Sequence, residues 1–204
     1  MIALVDYKAG NLTSVRKALS ALGAAFFTPE SAAELDGVDG VIVPGVGHFA
    51  STANLDASWR SAIEGRVRAG VPLLGICVGM QWLFEGSEES PEQPGLGVLP
   101  GRCVRLQGNP AEGVKVPHVG WNALTPPAGT TSRLLKGIAA GSQVYFTHSY
   151  AGPITNDCVA ATTHGTEEFA AAVERGKVYG VQFHPEKSSD VGLRILTNFL
   201  EACR

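Results

Sequence analysis

Val71-Pro72-Leu73-Leu74-Gly75-Ile76-Cys77-Val78-Gly79 is the stretch whose reading decides the fold. A short apolar run, Pro72 to Ile76, has the length and composition of a buried strand. A helical stretch from Val78 to Phe84 follows with no spacer. Only small residues flanking the junction let a strand turn sharply into a helix, and glycines stand on both sides of Cys77. This is the strand-turn-helix pattern of a nucleophile elbow, with cysteine in place of serine. It would put Cys77 at a helix N-terminus, where the backbone dipole favours a thiolate. The Val78 N–H would point to the same spot and could hold an oxyanion. Gly75 to Gly79 alone leave a buried core cysteine open as the alternative.

Upstream of the elbow the same alternation repeats. Met1 to Val5 reads as a strand and Gly10-Asn11 as a turn. Asn11 or Thr13 then caps a helix through Ala18, Leu19 and Leu22 that Gly23 closes. Ala25 to Phe27 is a second strand. Ser31 with Glu34 forms a capping-box pattern for a small helix. Gly40 to Val43 is a third strand, expected to break at Pro44-Gly45, and Trp59 to Arg68 is a helix ending before Gly70. Strands alternating with helices imply an α/β fold with a mostly parallel central sheet flanked by helices.

Downstream the pattern changes. Cys103 to Leu106, Val116 to Asn122, Val144 to Tyr150, Cys158 to Thr163, Phe169 to Val173 and Val178 to Phe183 read as strands. Turns such as Pro126-Pro127 and Asn156-Asp157 separate them. These are expected as antiparallel additions on one side of the sheet. A last amphipathic helix uses Leu193, Ile195, Leu196, Phe199 and Leu200. No repeat or linker divides the chain, so residues 1–204 are read as one domain.

Composition narrows the class of protein. With 45% hydrophobic and 17% charged residues over 204 positions, the chain can bury a real core. A formal net charge of −3 without a long basic run argues against nucleic-acid binding. Cys77, Cys103, Cys158 and Cys203 are far apart and form no CxxC pair, so neither a disulfide framework nor a zinc site is expected. No apolar stretch reads as a signal peptide or a membrane span. The expectation is a cytoplasmic enzyme-sized domain with no metal and no cofactor.

Two further segments carry chemistry. His184-Pro185-Glu186 follows the strand Val178 to Phe183. Pro185 biases His184 toward extended backbone, and in extended chain residues two apart point the same way. Glu186 could then hold one imidazole nitrogen while the other faces Cys77, the base and orienter that a thiol nucleophile requires. The alternative is a strand-end histidine salt-bridged to its neighbour. An H-x-E zinc deaminase would need a P-C-x-x-C segment that this chain lacks. The other segment, Pro44-Gly45-Val46-Gly47, ends the third strand. Carboxyl ends of adjacent parallel strands meet in one crevice, so this loop should lie beside the elbow. Glycines on both sides of Val46 permit its N–H to aim inward. An ordinary glycine-rich turn is the alternative, and no following G or GK[ST] supports a phosphate cradle.

Taken together, Gly75-Ile76-Cys77-Val78-Gly79-Met80-Gln81, His184-Pro185-Glu186 and Pro44-Gly45-Val46-Gly47 resemble the class I, triad-type glutamine amidotransferases. Pro117-His118-Val119-Gly120-Trp121-Asn122 and Tyr145-Phe146-Thr147-His148-Ser149-Tyr150 are similar to segments of one branch, the glutaminase subunits of imidazole glycerol phosphate synthases. The resemblance runs from the first strand to the last helix.

It implies L-glutamine as substrate and a Cys77–His184–Glu186 triad. Val46 and Val78 would form the oxyanion hole. Gly45, Gly47, Gln81, Glu89, His148, Ser149 and Tyr150 would contact the substrate. For Gln81 a helix-packing amide is the alternative, and for Glu89 a solvated loop acid. The resemblance also implies a heterodimer, with ammonia passing to a separate cyclase (synthase) subunit of histidine biosynthesis. Asn11, Trp121, Asn122 and Lys187 are the interface candidates; Trp121 as a core aromatic and Lys187 as a surface cation are the alternatives. Two rivals remain, a cysteine peptidase-like hydrolase and a non-catalytic regulatory module.

Overall fold

The computed structural model describes residues 1–9 and 12–204. The turn at Gly10-Asn11, with the Asn11 cap and interface readings, lies outside the described residues. Strands β1 (Ile2–Leu4), β2 (Phe26–Phe27), β3 (Gly40–Gly45) and β4 (Leu73–Cys77) alternate with helices α1 (Leu12–Ala21), α2 (Ala57–Arg68) and α3 (Val78–Leu83). Short strands β5 (Gly86–Ser87), β6 (Ser90–Pro94) and β7 (Arg102–Arg105) follow. Then come β8 (His118–Ala123), β9 (Gln143–His148), β10 (Tyr150–Ala151), β11 (Cys158–His164), β12 (Glu167–Arg175) and β13 (Val178–Val181). The last helix is α4 (Ser189–Ala202).

The main sheet has seven strands in the order β11-β12-β13-β4-β3-β1-β2. Strands β2, β1, β3, β4 and β13 pair in parallel. Strands β12 and β11 add antiparallel at one edge. The expected fold class therefore holds, with two refinements. Val178 to Phe183 was expected among the antiparallel additions, but β13 is parallel to β4 and part of the central sheet. The segments near Cys103, Val116 and Val144 do not join the main sheet at all. Strands β7 and β10 belong to a four-stranded sheet with β5 and β6, and β8 pairs only with β9.

The physical reason lies in burial. Strands β1, β3, β4 and β13 are buried along their whole length, as expected where helices cover both faces of a sheet. Strand β9 alternates exposed or half-buried with buried residues, so one of its faces meets solvent. Among the fully buried side chains are Trp82 on α3, Phe146 on β9 and Phe199 on α4.

Pro44 does not break β3, which runs through Gly45. Alternate residues of a strand bond to opposite neighbours. Val41 donates to Pro72 on the β4 side, and Ile42 accepts from Val5 on the β1 side. Pro44 shares the side of Ile42, where pairing with β1 ends at Leu4↔Ile42. Its missing N–H therefore costs no ladder bond.

Candidate active site

Cys77 is the last residue of β4, and α3 begins at the next position. Its backbone has φ +53° and ψ −111°, a strained conformation for a residue with a side chain. Two glycines allow the turn. A Cβ on Gly75 would press on the Gly79 carbonyl, and one on Gly79 would collide with the Val43 carbonyl of β3. Helix α3 can thus pack directly against both strands. It is only six residues long, so the local benefit comes from its free N–H groups more than from a long dipole. Val78, its first residue, carries one of them.

His184 reaches Cys77 through the sheet. Strand β13 lies beside β4 with Val181 opposite Ile76, so the residues just beyond β13 emerge next to the end of β4. His184 is extended, as expected, but Pro185–Lys187 forms a 3-10 turn. Glu186 reaches the imidazole because the chain turns, not because it runs straight. The contact is the expected one: His184 Nδ1 lies 2.8 Å from Glu186 Oε1. Two hydrogen bonds to its backbone hold His184 in place. The His184 N–H donates to the Tyr145 carbonyl at 2.9 Å, and Ser188 Oγ donates to the His184 carbonyl at 2.6 Å.

His184 is 1% exposed. Its Nε2 is buried without a formed hydrogen bond, and Cys77 is the group it interacts with. Burial opposes a charged imidazole. The interaction with Cys77 and the hydrogen bond to Glu186 outweigh it and push His184 up to about 10. The arrangement therefore favours a protonated imidazole between Cys77 and Glu186.

Cys77 opens into a cleft of about 190 Å³ lined by Gly47, Val78, Gln81, Glu89, Pro117, Thr147, His148, Ser149 and Tyr150. Six of the residues expected around a substrate line this cleft: Gly47, Gln81, Glu89, His148, Ser149 and Tyr150. The Gln81 side chain is half committed elsewhere. Its Nε2 donates to the Tyr150 carbonyl at 2.8 Å and to Gln182 Oε1 at 3.2 Å, which leaves only its oxygen for the cleft. Both ring nitrogens of His148 are engaged, Nδ1 with the Tyr150 carbonyl at 2.9 Å and Nε2 with His118 Nδ1 at 3.2 Å. Burial pushes His148 down to about 3 and His118 down to about 4, so both rings are neutral near pH 7.

Gly45 and Val46 lie on the other side of the loop. With His184, Glu186, Ala9 and others they line a separate cavity of about 10 Å³. Gly45 must be glycine, because a Cβ would strike the Tyr7 hydroxyl. That hydroxyl is buried and unpartnered among the described residues. Burial, then the charge of Cys77, raises the Tyr7 phenol well above its ordinary range.

Of the interface candidates, Trp121 is 52% exposed and meets the Tyr145 ring edge-on at 6.0 Å between centroids. Lys187 places Nζ 5.9 Å from the centroid of the same Tyr145 ring. Asn122 is tied down, its Nδ2 donating to the Thr163 carbonyl at 2.8 Å. Sequence reading did not find Tyr145, Gln182 or Tyr7. Gln182 is fully buried and donates to Cys77 Sγ at 3.6 Å. Its signal was a polar residue inside an apolar strand end, visible only as an oddity. Tyr145 carried no signal beyond its position in a quoted segment, and Tyr7 carried none.

The described residues hold no cluster of His, Cys, Asp and Glu suited to a metal ion, and no helix among them is long and apolar enough to cross a membrane.

Known proteins share this pattern. The family model described as Glutamine amidotransferase class-I matches residues 3–203. The chain is 50% identical over 204 residues to imidazole glycerol phosphate synthase subunit HisH of Gloeobacter violaceus, covering 98% of this chain and 88% of that protein. It is 47% identical over 206 residues to the subunit of the same name from Moorella thermoacetica, covering 100% and 95%. A crystal structure described as a glutamine amidotransferase superposes with a TM-score of 0.75 at 24% identity, covering 100% and 99%, a likeness of fold. A match spanning residues 3 to 203, joined to relatives about half identical along the whole chain, settles the family: this protein belongs to the class-I glutamine amidotransferases.

Proposed function

We propose that the chain is the glutaminase subunit of an imidazole glycerol phosphate synthase, acting as one amidotransferase domain over residues 1–204. The observation that carries this reading is Cys77 on a strained elbow, backed by the His184–Glu186 pair and open to a cleft lined by Gln81 and Glu89. Relatives named as that synthase subunit along nearly their full length support it.

The chemistry is L-glutamine plus water giving L-glutamate plus ammonia. Cys77 as thiolate attacks the side-chain amide carbon. The N–H groups of Val78 and Val46 hold the oxyanion, the latter once its peptide aims inward. Protonated His184 gives its proton to the leaving nitrogen, and ammonia departs. His184 then takes a proton from water, which hydrolyses the glutamyl thioester and frees Cys77. Glu186 orients the imidazole and stabilises its charged form. Gly47, Gln81, Glu89, His148, Ser149 and Tyr150, which line the cleft, surround the substrate, whereas Gly45 lies behind the loop and supports it.

Ammonia passes to the cyclase subunit of a heterodimer in the cytoplasm. That subunit closes the imidazole ring, forming imidazole glycerol phosphate and an aminoimidazole carboxamide ribotide. Trp121, Asn122 and Lys187 face that subunit, with Tyr145 between Trp121 and Lys187; Asn11 is kept as an interface candidate on the family resemblance alone. The test measures glutamate release by the purified pair. Wild type should turn over glutamine, faster when the cyclase carries its ligand, and Cys77→Ala should be inactive with an unchanged fold. Glutamate release at the wild-type rate by Cys77→Ala would sink the reading.

A further inference from the structure

Glu89 touches both halves of this site. It lines the cleft beside Cys77 and Gln81. Its Oε2 also accepts the backbone N–H of Phe49 at 2.7 Å, a bond that spans 40 residues of sequence. Phe49 is fully buried and ends the loop that leaves β3 after Gly45. Strand β3 anchors the loop at its start. Between the anchors, Gly47 has φ +104° and open space where a Cβ would stand, so the loop can turn there. The Glu89 N–H donates to Ser87 Oγ at 3.2 Å, which fixes the residue that carries the carboxylate.

We infer that Glu89 is a positioning residue for the Gly45–Gly47 loop as well as a wall of the cleft. This rests on the glutaminase reading. One carboxylate oxygen holds Phe49. The other makes no hydrogen bond among the described residues. It is the oxygen left for the substrate contact that the family resemblance already implies for Glu89. Filling the cleft therefore loads the same side chain that anchors the oxyanion loop. The expected substrate contact and the loop anchor thus share one side chain.

Two substitutions separate the roles. Glu89→Gln keeps an oxygen for the Phe49 N–H and discards the charge. Glu89→Ala discards both. In the assembled pair, Glu89→Gln should raise KM for glutamine at least about tenfold, the worth of one hydrogen bond to a charged group, with kcat within about threefold of wild type. Glu89→Ala should raise KM similarly and also lower kcat at least about tenfold. Alkylation of Cys77 by iodoacetamide at the wild-type rate in both variants shows that fold and nucleophile are intact. Wild-type kcat in Glu89→Ala, or an equal fall of kcat in Glu89→Gln, overturns the positioning role. Absence of glutamine hydrolysis by wild type would instead overturn the glutaminase reading on which it rests.

Discussion

His184 Nδ1 and Glu186 Oε1 lie 2.8 Å apart, two residues from each other in sequence, with both side chains almost wholly buried. The other imidazole nitrogen is turned to the Cys77 side and has no other partner among the described residues. A histidine held between Cys77 and Glu186 keeps its proton more tightly folded than unfolded, here up to about 10 against an ordinary 6.5. Its contribution to stability is thus complete below pH 6.5 and is lost as pH rises through about 10. Urea unfolding between pH 6 and pH 10 should show stability falling with rising pH in wild type. The slope should be shallower in Glu186→Gln, which removes one anion, and the same variant should lose about a hundredfold or more in kcat. Equal slopes in the two proteins would refute the assignment.

The Tyr7 hydroxyl is buried against Gly45 and unpartnered among the described residues. A buried polar group without a partner costs about 1–3 kcal/mol. Tyr7→Phe removes the oxygen and keeps the ring. We expect the variant to be more stable than wild type by about 1 kcal/mol in denaturant unfolding. A loss of stability would mean that the hydroxyl has a partner in solution.

Trp121 is exposed, and its ring leans on Tyr145, whose carbonyl accepts the His184 N–H. An exposed aromatic anchored this way suits the centre of an interface. Trp121→Ala should weaken binding of the cyclase subunit by about 2 kcal/mol, roughly thirtyfold in Kd, while the isolated chain keeps its unfolding midpoint. Unchanged affinity in a titration of labelled cyclase would remove Trp121 from the interface.

Much of this site was legible in the residues themselves. The elbow at Gly75–Gly79 follows from local sterics, since only glycines let a strand fold back into a helix at that distance. The His184–Glu186 contact also depends on neighbours in sequence, although the chain makes it by a 3-10 turn rather than an extended run. The parallel core was readable because strands buried on both faces are apolar throughout.

Other features belong to the tertiary structure alone. That β13 lies parallel beside β4, bringing His184 to Cys77, depends on pairing between segments a hundred residues apart. Local pattern does not encode such pairing, and from sequence β13 reads as an antiparallel addition. The separation of β7, β10, β8 and β9 from the main sheet was hidden for the same reason. So were Gln182 against Cys77, Tyr7 against Gly45, and the bond from Phe49 to Glu89. By itself the sequence determined which residue types could do the chemistry and where each turn had to fall, because those follow from bonds and sterics over a few positions. Only the folded chain decided which of those residues meet, because burial and strand pairing act between parts of the chain that share no local pattern.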